Sequence, residues 1–185
     1  MGKLIYSVAG SLDGFINDEQ GNYDWAFPGE DLVAFFNRTM TEVSTYLYGR
    51  RMYEEMQGWE TDPSAAAQSA ESAAFAEVWK AADKIVFSRT LSSVATARTR
   101  LEHEFDPELV RRIKAEATGN VTVEGPGLAA HALRAGLVDK VHRVLAPVIV
   151  GGGTPIYPGD VRLDLELVDE RRFHGGMVHL RYAVC

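Results

Sequence analysis

Tyr48-Gly49-Arg50-Arg51-Met52-Tyr53 sits where a β-like, aromatic run (Ser44 to Gly49) gives way to a short stretch of helical character (Arg50 to about Met56). Such a strand-to-helix turn is informative because ligands collect at the carboxyl ends of strands in open parallel sheets. A helix N-terminus there presents unpaired N–H groups and a partial positive charge to an anion. Gly49 lets a neighbouring backbone approach closely, and Arg50 and Arg51 supply forked donors for phosphate. A glycine turn followed by two solvated arginines would be spelled the same way, so the segment gains its weight from its neighbours.

Two further segments repeat the logic. Ile85-Val86-Phe87 runs into Ser88-Arg89-Thr90, a hydroxyl, a guanidinium and a hydroxyl, all of which bind phosphate; a polar loop after a buried strand is the alternative. Val123-Glu124-Gly125-Pro126-Gly127-Leu128-Ala129 is another strand-to-helix turn with glycines where a pyrophosphate could sit. It does not match the Rossmann glycine fingerprint, and Gly151-Gly152-Gly153-Thr154 lacks the lysine of a P-loop. Three such turns, each following a strand of one sheet, are harder to dismiss than any one.

Outward from these turns the elements alternate. Residues 3 to 9 form a first strand ending at Gly10-Ser11-Leu12-Asp13-Gly14; a loop runs to about Pro28; Leu32, Val33, Phe35, Phe36 and Met40 recur at helical spacing behind the acidic Glu30-Asp31. Asp62-Pro63 reads as an N-cap with proline at the first helical position, which makes the alanine-rich stretch to Ala82 helical rather than a linker. Asp106-Pro107 repeats that signal for a helix to about Ala117, and Gly136 stops a helix from Gly127 to Ala135. Lys84 to Ser88 and Asn120 to Val123 are short strands, and Lys140 to Val150, Val161 to Val168 and Met177 to Val184 are strand-like. The expected fold is a three-layer α/β domain spanning residues 1–185, with a mostly parallel central sheet, antiparallel C-terminal strands and flanking helices.

Bulk properties narrow the function. The 185 residues suit one domain, and no apolar run approaches the length of a membrane span. The opening residues lack the apolar core of a secretory signal, and the single cysteine, Cys185, permits neither an intrachain disulfide nor a thiolate cage, so a reducing, cytoplasmic setting is expected. A net charge of -7 disfavours nucleic acid and anionic membranes as partners, although Arg111-Arg112 and Arg171-Arg172 are the features a nucleic-acid reading would use. His103, His131, His142, His174 and His179 show no metal-ligand spacing, so no metal is expected.

The chain resembles the dihydrofolate-reductase-like superfamily, and within it the stand-alone relatives of the riboflavin-biosynthesis (RibD C-terminal) reductase domain. The resemblance runs from Ile5 to about Tyr182. It rests on Ser11-Leu12-Asp13-Gly14-Phe15-Ile16, Trp25-Ala26-Phe27-Pro28, Tyr48 to Glu54, Val86-Phe87-Ser88-Arg89, Glu124-Gly125-Pro126-Gly127 and Pro147 to Gly153. It implies an NADPH-dependent reductase. Ala9 and Ile16 would line the nicotinamide slot, Gly49, Arg50, Arg51 and Met52 would meet the phosphates, and Ser88 and Arg89 would lie near the adenosine 2′-phosphate. Gly125, Pro126, Gly127 and Leu128 would form the pyrophosphate turn. Asp31 or its neighbour Glu30 would be the carboxylate facing the acceptor, the register being open by one position.

Hydride transfer needs donor and acceptor carbons held close, water excluded and one proton supplied. The expected substrate is a small heterocycle of pterin or pyrimidinone type, with Trp25, Phe27, Phe35, Trp59 and Tyr157 as candidates for a planar wall, although each is more often a core residue. A non-catalytic nucleotide-binding module with the same fold is the alternative. A homodimer is expected, because the strand-rich tail offers sheet edges that a partner would cover.

Overall fold

The apolar runs of the sequence become strands buried on both faces: Leu47, Val86, Val121 and Val123 are wholly inaccessible, as are their neighbours Tyr6 and Tyr48. The computed structural model describes residues 1–26 and 29–185. Its strands are β1 (Leu4–Ser11), β2 (Val43–Gly49), β3 (Asp83–Phe87), β4 (Thr99–Glu102), β5 (Asn120–Glu124), β6 (Lys140–Ala146), β7 (Leu165–Arg172) and β8 (Val178–Val184). They form one eight-stranded sheet in the order β4-β3-β2-β5-β1-β6-β8-β7. β4 through β6 in that order are mutually parallel, while β8 runs antiparallel to β6 and β7 antiparallel to β8.

The helices are α1 (Glu30–Met40), α2 (Arg50–Met56), α3 (Gly58–Thr61), α4 (Pro63–Ala66), α5 (Ala70–Ala81), α6 (Pro107–Glu116) and α7 (Pro126–Arg134). α6 and α7 lay Val110, Ile113, Leu128 and Leu133 over one face of the sheet, against Leu4, Leu47, Val121 and Val141. On the other face Trp79 of α5 and Ala82 just past its end pack against Tyr46, Tyr48 and Val86, and α1 packs Leu32 and Phe35 against Val144 and Ala146. This is the three-layer, dihydrofolate-reductase-like architecture.

Four local expectations need correction. The alanine-rich segment is two helices, because Asp62 caps α4 and Ser69 starts afresh by accepting from the Ser72 N–H. β4 gave no periodic signal, being four residues long with Arg100 inside it and Arg98 just before it. β6 stops at Ala146, before Pro147, and Val148 to Gly151 instead bond to Leu12 and Asp13. The seventh strand is displaced to Leu165–Arg172: Val161 and Leu163 pack as loop residues on the core, while the charged run Asp169 to Arg172 pairs with β8.

Candidate functional site

Because six neighbouring strands share one direction, the turns after β1, β2, β3, β5 and β6 line a single edge of the sheet. The turns into α2 and α7 lie side by side: a Cβ on Gly49 would stand 3.7 Å from the Leu128 Cβ, and one on Gly125 would stand 3.7 Å from the Met52 Cβ. Gly49 and Gly125 are the N-caps of these helices, and no side chain caps either. The first-turn N–H groups are therefore free for an outside acceptor. Gly125 has φ +88°, which a residue with a Cβ adopts only under strain, so glycine is required for the turn that aims α7 at the edge. Pro126 occupies the first helical position, where its missing N–H costs nothing, and the Gly127 and Leu128 amides follow.

Arg50 is held in place at this edge. Its Nε donates to Glu54 Oε1 at 2.7 Å and its NH1 to Thr90 Oγ1 at 2.9 Å, which ties the β2 turn to the β3 turn. Ser88 is buried, and its Oγ accepts from the Thr90 and Leu91 N–H groups, shaping the loop on which Arg89 stands exposed. Arg51, the next residue of α2, is exposed. The structure thus brings Gly49, Arg50, Met52, Ser88, Gly125 and Leu128 into one region, with Arg51 and Arg89 at its rim.

The turn after β1 is built on a close approach: a Cβ on Gly10 would lie 2.4 Å from the Phe15 carbonyl oxygen, and the Ser11 N–H donates to that same oxygen at 2.9 Å. Asp13 accepts from the Val150 and Gly151 N–H groups, and Asn17 from that of Thr154, so the loop after β6 braces the loop after β1. Ala9 packs against the α1 cluster and pairs with Val144, and Ile16 packs on the opposite core cluster.

Asp31 is exposed at the start of α1, and both carboxylate oxygens have backbone partners: Oδ1 accepts from the Leu32 N–H at 2.9 Å, Oδ2 from the His174 N–H at 2.8 Å. The second bond clasps α1 to the 3-10 turn joining β7 and β8. The His174 N–H, followed by that of Leu32, holds the Asp31 carboxyl below its usual range, so it is ionised at neutral pH. Glu30 is exposed beside it.

Glu124 is the group that sequence reading passed over, quoting it only as the residue before the Gly125 turn. It ends β5 on the face shared with α1 and α5, in register with Tyr48. Its carboxyl is buried, accepts from Thr122 Oγ1 at 3.1 Å, and is pushed up from 4.5 to about 7 by desolvation, which the Thr122 bond only partly offsets. Tyr46 and Tyr48 stack beside it; Tyr48 accepts from Trp79 Nε1, while the buried Tyr46 hydroxyl has no partner among the described residues. An acidic residue at the end of a central strand, where apolar residues are the rule, was the available signal.

Among the described residues the aromatic wall does not assemble. Phe35 is packed among Phe36, Phe173 and His179, Trp59 against Phe75, and Tyr157 over Tyr6 on the other face; Phe27 lies outside the described residues. Only Trp25, packed on the α1 cluster with its Nε1 unpartnered among the described residues, stands near the edge in question. A cleft of about 480 Å³ opens at the opposite edge, among Thr45, Lys84, Arg98 and Arg100, but both arginines there are committed to Asp83 and Glu102. Among the described residues, no group of acidic, histidine or cysteine side chains could hold a metal, and no helix is long and apolar enough to cross a membrane.

Comparison with known proteins agrees with this architecture. Uncharacterized protein YyaP of Bacillus subtilis is 27% identical over 188 residues, covering 97% of this chain and 94% of that protein. A structure from Shewanella sp. PV-4, provisionally named a riboflavin biosynthesis protein, superposes with a TM-score of 0.77 at 19% identity over 100% of this chain and 99% of that one. Dihydrofolate reductase from Enterococcus faecalis, complexed with NADP(H), superposes with a TM-score of 0.63 at 15% identity over 99% of this chain and 96% of that one. The RibD C-terminal domain model matches residues 2–179, and the chain belongs to that family.

Proposed function

We propose that this protein is a cytoplasmic, homodimeric, NADPH-dependent reductase that transfers a hydride to a small heterocycle of pterin or pyrimidinone type. The observation that carries the reading is the pair of adjacent, uncapped helix N-termini at Gly49 and Gly125, with Arg50 fixed between them and the Ser88-Arg89 loop by Glu54 and Thr90. These residues fit a phosphorylated dinucleotide: free amides and glycine surfaces suit a pyrophosphate, and Arg50 and Arg89 suit a terminal phosphate. NADPH, when bound, supplies the hydride.

The remaining tasks fall to the chain's own side chains. Gly49, Arg50, Arg51 and Met52, with Gly125, Pro126, Gly127 and Leu128, hold the phosphates; Ser88 and Arg89 address the 2′-phosphate; Ala9 and Ile16 flank the reacting ring. Reduction of a ring C=N or C=C needs a proton on the atom next to the carbon that takes the hydride. Asp31 is ionised and orients the acceptor by taking a hydrogen bond from a ring N–H, while its clasp on His174 keeps the edge formed. Glu124 lies on the same face as Ala9, on the neighbouring strand, and holds a proton near neutral pH, the condition for a general acid.

The test is loss of NADPH absorbance on incubation with pterins, pyrimidinones, quinones and flavins, together with direct titration of NADPH binding. Binding with turnover of a heterocycle supports the reading. Binding without turnover of any class favours a nucleotide-binding module, and absence of binding refutes the site.

A further inference from the structure

We infer that Ser7 and His142 carry protons from solvent to Glu124, so that this acid is reloaded through the sheet after each turnover. The inference rests on Glu124 being the proton donor of the proposed reaction. A buried acid that gives up its proton must regain one before it acts again, and Glu124 is enclosed between strands. On the face shared with α1, the strand registers set one residue from each of five neighbouring strands in a single row. Tyr6 pairs with Val123, so the next residues, Ser7 and Glu124, stand side by side; Ser7 pairs with His142, His142 with Arg181, and Arg181 with Asp169. Carboxyl, hydroxyl, imidazole, guanidinium and carboxylate thus follow one another from β5 to β7. Core-facing positions of central strands are ordinarily apolar, because a buried polar group must find a partner. A polar row that runs unbroken to solvent has a use beyond packing.

Packing fixes the face at each position. Glu124 accepts from Thr122 on the side of Tyr46 and Tyr48, Ala9, two residues beyond Ser7, packs in the α1 cluster, and the His142 ring meets that of His179, which lies against Phe35 and Phe36 of α1. The outer end is wet: Arg181 Nε lies 3.4 Å from Asp169 Oδ2, with the two side chains 39% and 44% exposed. Ser7 and His142 are half-buried, whereas Ile5, Tyr6, Thr122 and Val141 around them are closed off. The middle of the row therefore has room for water, and one water bridges the step of about 4.8 Å between neighbouring strands. One ring nitrogen of His142 takes a proton from the Arg181 end while the other releases its own towards Ser7. The Ser7 hydroxyl accepts that proton as it passes its own to the Glu124 carboxylate. One proton has moved and no electrons have; tautomer exchange in the imidazole and rotation of the hydroxyl restore the row. Burial, with His179, Arg181 and Lys140 nearby, holds His142 well below its usual range, so the ring passes a proton on and does not keep it.

Time-resolved infrared spectroscopy on the full chain tests this. A light flash on a caged acid releases protons into protein held above the Glu124 midpoint of about 7, and growth of the protonated-carboxyl band, absent in Glu124→Gln, follows the uptake. His142→Gln, which keeps hydrogen bonding but passes no proton, and Ser7→Ala should each slow uptake by about 10²-fold, the lower end of what a placed acid–base group contributes, with the midpoint unchanged. Added imidazole should restore the rate in His142→Gln, and Ser7→Thr should keep it. Uptake at the wild-type rate in either His142→Gln or Ser7→Ala overturns the inference, as does slowing that comes only with a displaced midpoint. Turnover separates the relay from the reaction it serves. With NADPH and a heterocycle that the wild type reduces, His142→Gln should oxidise one NADPH per chain at the wild-type rate and then slow. Sustained wild-type turnover in His142→Gln would refute the relay and leave the donor role intact, whereas wild-type turnover in Glu124→Gln would refute the donor role.

Discussion

Replacing Glu124 by Gln should make the protein more stable at pH 8 and leave it little changed at pH 4.5. The folded carboxyl is raised from 4.5 to about 7 by burial, so between those values the native state binds a proton that the unfolded chain has released. Stability contributed by the protonated group is therefore complete below pH 4.5 and is lost as pH rises through 7. At about 1.4 kcal/mol per unit, the displacement amounts to roughly 3 kcal/mol, and some relaxation or water entry on ionisation brings the expected gain to about 2–3 kcal/mol. Gln keeps the size of the side chain and an amide oxygen to accept from Thr122 Oγ1, so the difference isolates the charge. Urea unfolding of both proteins at half-unit intervals across this range gives the difference curve directly, and contributions from other titrating groups cancel in it. A difference that is flat with pH would show that Glu124 is solvated or paired in the native state and would remove it as the proton source.

Double substitution of Arg50 and Arg89 by Ala should erase most of a preference for NADPH over NADH, since each charge-assisted contact is worth about 1.5–3 kcal/mol; an unchanged affinity ratio would mean the 2′-phosphate lies elsewhere. Gly125→Ala, at φ +88°, should cost about 1–2 kcal/mol in urea unfolding and weaken cofactor binding in fluorescence titration; full affinity in the variant would show that the turn does not contact the cofactor. Burial lowers His142 and His179 from 6.5 to about 3 and about 4, so the unfolded chain takes up protons first and stability is lost as pH falls from 6.5 towards 4. His179→Leu should make that acid limb shallower in thermal melts, and an identical limb would refute the assignment. Asp31→Asn should cut turnover by about 10²–10⁴-fold with only a small loss of stability, because Asn keeps one of the two acceptors in the clasp. Turnover retained there but lost in Glu30→Gln would shift the role by one residue, and retained in both would leave the pair structural.

The signals that survived from sequence to structure were local and chemically forced. Asp106 caps α6 with Pro107 behind it, Gly136 stops α7 at φ +63°, and the three turns, two of them into helices and the third into the loop after β3, fall along one sheet edge. What escaped depended on tertiary partners. Nothing near Asp31 announces that its carboxylate meets the His174 N–H, 143 residues away. Val161 and Leu163 alternate like a strand, yet their side chains are used to cover the core from a loop, and the real β7 carries charges because one of its faces meets rings and the other meets solvent. Ser69 caps a second helix inside an alanine-rich run that propensity alone would make continuous.

Asp31 and Glu124 show how one sheet edge can hold two carboxyl groups driven in opposite directions, Asp31 below its ordinary range and Glu124 up to about 7. Asp31 is exposed and receives two backbone N–H groups, which favour the charged form; Glu124 is enclosed between strands, beside two tyrosines, with one hydroxyl to accept from, and favours the neutral form. Environments that drive two acids apart in this way separate an anion that orients from an acid that donates. Exchanging the roles would require ionising a carboxyl with no cation near it and protonating one that two amides hold as an anion. In the proposed reaction the proton therefore comes from the β5 end of the edge and the orienting charge from the α1 end, with the acceptor between them.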